Sequence, residues 1–158
     1  MKSNLISKSE TSELLKTVSE KWRIEFPRIK NVKVHQILDD AQIITGTGIK
    51  ILKVNEDYLP FLSEIETLKK FPNVMVDMGA VKFMCKGANV MRPGIKKYTE
   101  FEKDSLVCIV EESQHKFLAV GKSLVASSEL ESMEKGEVIK NIHYISDRFW
   151  EVGKTIYD

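Results

Sequence analysis

VDMGAVKFMCKGANVMRPGIKK, residues 76–97, is the stretch from which the rest of the chain is read. Between Met78 and Thr99 stand five basic residues, Lys82, Lys86, Arg92, Lys96 and Lys97, and no acidic one. The whole chain has 24 basic and 23 acidic side chains, so everything outside this segment carries 19 against 23, a net −4. A nearly neutral protein thus holds a concentrated positive segment, and such local asymmetry points to an anionic partner better than global charge does. Gly79, Gly87 and Gly94 punctuate it, which lets a partner approach the main chain closely.

Asp77 is placed to cap a helix over 79–86, with Gly87 as its stop. On that helix Val81, Met84 and Cys85 share one face and Lys82 and Lys86 share another. Like charges four residues apart cost a helix about a few tenths of a kcal/mol, which a bound phosphate would offset. The N–H groups at Gly79 and Ala80 favour an anion, with almost no side chain to block it. Ala88 to Met91 reads as a strand on which Asn89 and Met91 share a side. Asn89 suits a hydrogen bond to a base or sugar, and Met91 an apolar seat for one. No aromatic stacking platform is evident in the segment. An RNA site and a plainly solvated lysine face both fit these residues.

Upstream, Ser7 to Trp22 reads as a helix. Ser7 and Glu10 have capping-box spacing, Leu14, Leu15, Val18 and Trp22 make one apolar face, and Pro27 ends any continuation. Val32–Leu38, Gln42–Thr45 and Ile49–Val54 read as strands, with a turn at 46–48 and a break at Asn55–Asp57. Leu62 to Lys70 reads as a short helix, and Pro72–Asn73 marks a boundary between domains 1–72 and 73–158. Downstream, Val74–Val76, Leu106–Glu111, Lys116–Gly121 and Val138–Tyr144 read as strands, the middle pair as a hairpin around Glu112–His115. Ser128 and Glu131 have capping-box spacing for a helix that Gly136 closes, and residues 147–151 close the domain with two aromatics. Several short strands with short helices suggest a small, partly closed barrel.

Composition and motifs exclude more than they assign. The 42% apolar, 30% charged make-up is that of a globular protein. No apolar run approaches the roughly 20 residues that span a membrane, and the N-terminus lacks the apolar region of a secretory signal. Cys85 and Cys108 sit in apolar surroundings, as buried thiols of a reducing compartment do, so a cytoplasmic location is expected. His35, His115 and His143 are far apart, with no HExxH, CxxC, GxSxG or P-loop anywhere. GTGIK at 46–50 reads as a turn. Cys85 reads as a packed helix cysteine, and Asp39–Asp40 and Glu111–Glu112 as solvated acids at strand ends. No catalytic constellation, metal site or cofactor is expected.

Residues 76–95 resemble the signature of the PUA domain, in the glycine-alanine at the helix start, the basic-Gly-Ala at 86–88 and the Pro-Gly at 93–94. Ala119–Lys122, Ser127–Ser128, Asp147 and Trp150 follow in the same order. VDMGAVKF, KGANVMRPG and NIHYISDRFW at 141–150 are similar to the malignant-T-cell-amplified-sequence translation factors, in a compact archaeal form. IKILKVNEDYLPFL at 49–62 and KKFP at 69–72 resemble that family's N-terminal domain. The resemblance implies an α+β protein, with a small N-terminal α/β domain packed on a PUA-type mixed pseudo-barrel. It implies non-catalytic binding of structured RNA, tRNA or small-subunit rRNA, in initiation, reinitiation or recycling. Eukaryotic relatives act with a partner bearing an initiation-factor-like domain. The RNA surface it implies is Gly79, Ala80, Lys82, Lys86, Gly87, Ala88, Asn89, Met91 and Gly94, with Ile142 and His143 from the last strand. Arg92 departs from the family pattern, which leaves its role open, and Phe149 and Trp150 seal the barrel. An accessory to an RNA-modification enzyme and a protein-interaction adaptor are the alternative readings.

Overall fold

The computed structural model describes residues 1–156. The chain divides into two compact units, Met1–Pro60 with the residues from Val152 on, and Phe61–Glu151.

The first unit has one long helix and a five-stranded antiparallel sheet. Strand β1 (Lys2–Leu5) leads into helix α1 (Lys8–Trp22), and β2 (Lys33–Leu38), β3 (Ala41–Gly46), β4 (Ile49–Val54) and β5 (Asp57–Pro60) follow as a meander. Ser7 starts α1 as expected. Its Oγ accepts from the Glu10 N–H at 3.0 Å, and Glu10 Oε1 accepts from the Ser7 N–H at 3.4 Å. Thr11, Leu15, Val18 and Trp22 form the buried stripe of the helix. The helix ends at Trp22, as the sequence predicts, where Arg23 turns left-handed at φ 57°. Strand β1 had no signal in the sequence, because all four of its residues are exposed and no alternation marks it.

The second unit opens with helix α2 (Ile65–Leu68), shorter than the 62–70 expected. Strand β6 (Asn73–Val76), a 3-10 turn (Met78–Ala80), helix α3 (Val81–Met84) and strand β7 (Val90–Met91) follow. A second 3-10 turn (Arg92–Gly94) leads to β8 (Ile95–Tyr98), β9 (Leu106–Glu111) and β10 (Phe117–Ser123). A 3-10 helix (Ser127–Ser132), β11 (Glu137–Tyr144) and α4 (Arg148–Gly153) complete the chain. The strands form one sheet in the order β7-β11-β10-β9-β6-β8, parallel between β6 and β9 and antiparallel elsewhere. Its two edge strands, β7 and β8, are neighbours in sequence, joined by Arg92–Gly94 alone. Five flat strand spacings would cover about 24 Å, whereas four residues of chain reach ~14 Å at most. The sheet therefore curls until its edges approach, which makes the expected mixed pseudo-barrel. Val74, Val76, Ile95, Val107, Ile109 and Val138 belong to the core of this unit.

Two details of the barrel differ from expectation. The helix after Val125 is a 3-10 helix, and its start is held by Glu129 Oε2, which accepts from the Ala126 N–H at 3.0 Å, not by Ser128 and Glu131. Ser127 is turned inward instead, its Oγ accepting from the Phe101 N–H at 2.9 Å. Glu111 is buried rather than solvated, because its Oε1 closes the hairpin by accepting from the N–H groups of Gln114 and His115 at 2.6 and 3.1 Å.

Strands β10 and β11 approach each other closely at one point. Val120 pairs with His143 and Gly121 with Asn141, so Ile142 is the extra residue of a bulge. A Cβ on Gly121 would stand 2.2 Å from the Lys140 carbonyl oxygen. Gly121→Ala is expected to lower stability by about 3 kcal/mol, through backbone displacement in a packed interior; urea denaturation monitored by circular dichroism reads this directly.

Cys85 and Cys108 are both free thiols. Burial raises both, and the fully buried Cys108 is pushed up from 9.0 to about 12. Between pH 9 and 12 the unfolded chain gives up the Cys108 proton while the folded chain keeps it, so stability falls as pH rises through that window. The slope from this one group is about 1.4 kcal/mol per pH unit. Urea unfolding of Cys108→Ala between pH 8 and pH 10.5 should show a shallower alkaline loss than the wild type.

Candidate nucleic-acid interface

The basic segment begins at the end of β6, where Asp77 starts the 3-10 turn. Its Oδ1 accepts from the Ala80 N–H at 2.9 Å, and its own N–H donates to the Gly94 carbonyl at 3.0 Å. Glu112 Oε2, at the hairpin between β9 and β10, accepts from the Met78 N–H at 3.1 Å. The N–H groups of Met78 and Ala80 are thus held by the protein's own carboxylates. The expected helix over 79–86 is split into the 3-10 turn and the single turn of α3. Gly87 stops it as predicted. With φ at 90°, it donates its N–H to Met84 O while the Ala88 N–H reaches Phe83 O, the paired bonds of a Schellman end. A Cβ on Gly87 would lie 3.0 Å from the Tyr144 ring, so β11 also demands glycine here.

Strand β11 anchors this end of the segment. The Asn141 side-chain amide donates to the carbonyls of Met84 and Ala88, both at 3.1 Å, and its backbone N–H donates to Asn89 Oδ1 at 3.0 Å. Asn89 Nδ2 in turn donates to Glu137 Oε2 at 3.3 Å. Arg92 works inward. Its Nε donates to the Leu130 carbonyl at 2.7 Å, and a terminal guanidinium nitrogen reaches the Ile95 carbonyl at 3.4 Å.

His143 has no exposed surface. Its Nε2 accepts from the Leu62 N–H at 3.2 Å, so Nδ1 carries the proton, facing Asp147 Oδ2 at 2.8 Å. Asp147 also accepts from the N–H groups of Tyr144 and Trp150, which starts α4. Phe61 packs on His143 with ring centroids 4.7 Å apart and stacks on Trp150 at 6.2 Å. The aromatics after Asp147 therefore seal this unit, as the sequence suggested. Among the described residues no group of three or more His, Cys, Asp or Glu is placed to hold a metal ion, and no helix is long and apolar enough to cross a membrane.

Residues 72–145 match the PUA domain family. An uncharacterised protein of Methanocaldococcus jannaschii is 36% identical over 129 residues, 78% of each chain. Malignant T-cell-amplified sequence 2 of Mus musculus is 33% identical over 135 residues, 80% of this chain and 74% of that one. The chain belongs to the malignant-T-cell-amplified-sequence family of PUA-domain proteins. Translation machinery-associated protein 20 of Eremothecium gossypii is 27% identical over 133 residues, 78% of this chain and 74% of that one. The crystal structure of a hypothetical protein from Pyrococcus horikoshii superposes with a TM-score of 0.79 at 26% identity, covering 96% of this chain and 99% of that one. Family and relatives together point to an RNA-binding, translation-related role.

Within this PUA barrel the residues expected at the RNA surface fall into groups. Gly79, Lys82, Lys86 and Met91 are exposed, and Ala80, Gly87, Ala88, Asn89, Gly94 and Ile142 are half-buried. Lys82 on α3 and Lys86 in the turn after it are both exposed, and neither has an ion-pair partner among the described residues. His143 is removed from that surface by burial and by its two hydrogen bonds. Sequence reasoning missed Asn141, Glu112 and Phe83. The first two act across 34 to 57 residues of chain, at a separation that no local pattern reports. Phe83 was legible on a helical wheel, since it projects away from Val81, Met84 and Cys85.

Asn141→Ala would strip the carbonyls of Met84 and Ala88 of their donor. The expected cost is about 2 kcal/mol, with faster hydrogen exchange at the amides of Lys86, Gly87 and Ala88 than in the barrel strands.

Proposed function

We propose that this protein is a non-catalytic RNA-binding factor that grips tRNA or the small ribosomal subunit during translation initiation or ribosome recycling. The observation that carries the reading is Lys82 on α3 and Lys86 in the turn after it, both exposed and without ion-pair partners among the described residues, within a PUA barrel. The yeast-type relative named for the translation machinery supports the choice of pathway. In this reading residues 1–72 form the N-terminal domain and 73–158 the PUA domain, whose last two residues lie outside those described. The RNA surface comprises Gly79, Ala80, Lys82, Lys86, Gly87, Ala88, Asn89, Met91, Gly94 and Ile142. The protein works in the cytoplasm, alone or beside a partner with an initiation-factor-like domain.

Electrostatics makes the attraction local. The unit Phe61–Glu151 contains thirteen basic and fourteen acidic residues, so its net charge does not draw a polyanion. Binding then rests on the few cations that face the ligand and is steeply salt-dependent. Lys82→Glu with Lys86→Glu should weaken binding to total tRNA strongly and lower the salt slope by about 1.5, close to two lost phosphate contacts. Filter binding at several salt concentrations measures both quantities, and an unchanged slope would remove these lysines from the interface. Crosslinking in cell extract, followed by sequencing of the bound RNA, separates tRNA, small-subunit rRNA and guide RNA.

A further inference from the structure

We propose that Phe83 is a platform on which an unpaired base of the bound RNA stacks, so that the site takes a single-stranded stretch rather than a continuous duplex. This rests on the RNA-binding reading above. Phe83 is 52% exposed, while its neighbour Met84 is 3% exposed and faces the core. At about 100° per residue, the single turn of α3 puts Lys82 and Phe83 on the side away from Val81 and Met84, and Lys86 follows in the turn that ends it. Lys82 Nζ lies 5.2 Å from the centre of the Phe83 ring. An ammonium over one face of an exposed ring leaves the arrangement short of burial, and the phenyl group keeps half of its surface in water.

The surroundings narrow what covers it. Several groups around α3 that could hold RNA by fixed hydrogen bonds are engaged within the protein: the Met78 and Ala80 N–H groups by carboxylates, and the Asn89 side chain by Asn141 and Glu137. Two lysines and an exposed ring stand beside them. Phosphate suits the lysines, and the π-face of a base suits the ring, in a sequence-tolerant manner. Met78 at 50% and Met91 at 46% exposed add apolar surface within the same segment, so three of the seven exposed large hydrophobic residues among the described residues fall between 78 and 91. A continuous duplex turns its base faces inward and offers phosphates, 2′-hydroxyls and groove edges instead of a π-face.

The test uses the full-length protein with two probes, a short single-stranded oligoadenylate and a blunt RNA duplex of the same length. Phe83→Ala should weaken oligoadenylate binding about tenfold or more, leave the salt slope unchanged and leave duplex binding as it was. Phe83→Trp should retain the affinity for oligoadenylate and show indole quenching when that probe is added, which a merely structural role would not produce. Phe83→Ala binding as tightly as the wild type would overturn the proposal while leaving the RNA-binding reading intact. Equal loss on both probes would also overturn it, since the ring would then not be reading an unpaired base. Failure of the wild type to bind either probe or total tRNA would overturn both readings at once.

Discussion

The three-residue turn Arg92–Gly94 is the constraint on which the second unit depends. It joins the two edges of a six-stranded sheet, and no flat or gently twisted sheet can satisfy so short a connection. Pro93 pre-sets the turn, and Arg92 locks it from several sides. The Arg92 N–H donates to the Gly136 carbonyl at 2.8 Å, and the guanidinium holds Leu130 and Ile95. The Gly94 carbonyl then receives the Asp77 N–H, which starts the turn leading into α3. Closure of the barrel and placement of the lysine pair are therefore one event. The cation whose role the family pattern left open is structural here, because a fixed guanidinium fork suits bridging the two carbonyls of Leu130 and Ile95 better than a flexible ammonium would.

The same folding redistributes charge. Residues 78–99 lack acids in the linear chain, yet the fold brings Asp77 and Glu112 to the first turn of the segment and Glu137 to Asn89. These carboxylates accept from N–H groups that would otherwise donate to a phosphate or a base edge. What stays exposed for a ligand is the long lysine side chains and the apolar surface of Met78, Phe83 and Met91. An interface built from these gains affinity from charge and contact area more than from fixed geometry.

Much of this was legible in the sequence where the signal was local. The capping box at Ser7 and Glu10, the strand alternations from 33 to 54, and the stop at Gly87 are each written within a few residues of where they act. The elements that escaped lack such a signature. Strand β1 is exposed throughout, and β5 and β8 are four residues each. At the interface, the lysine pair and the glycines were readable, whereas the anion site at Gly79 and Ala80 was read without its internal ligands. Glu112 lies on the far side of the sheet's parallel pair in sequence, and only the β6–β9 register, with Val76 beside Glu111, carries it there. His143 was placed at the RNA surface by the family resemblance alone, and its burial depends on Leu62 and Asp147, a contact across 81 residues in the first case that no local pattern reports.

Gly121 has a consequence for how the chain reaches this state. A strand that slips by one residue turns every side chain to the wrong face, and hydrophobic pattern alone guards weakly against this in apolar strands such as β10. Steric exclusion adds a second guard. Opposite the Lys140 carbonyl only a residue without a Cβ fits, and the neighbours Val120 and Lys122 both carry one. Glycine thus works as a key for register, rejecting misaligned pairings between β10 and β11 as the barrel assembles. In a sheet whose contacts are mostly distant in sequence, and whose folding is slow for that reason, such a check confines the search to the one alignment that also delivers Asn141 to the end of α3.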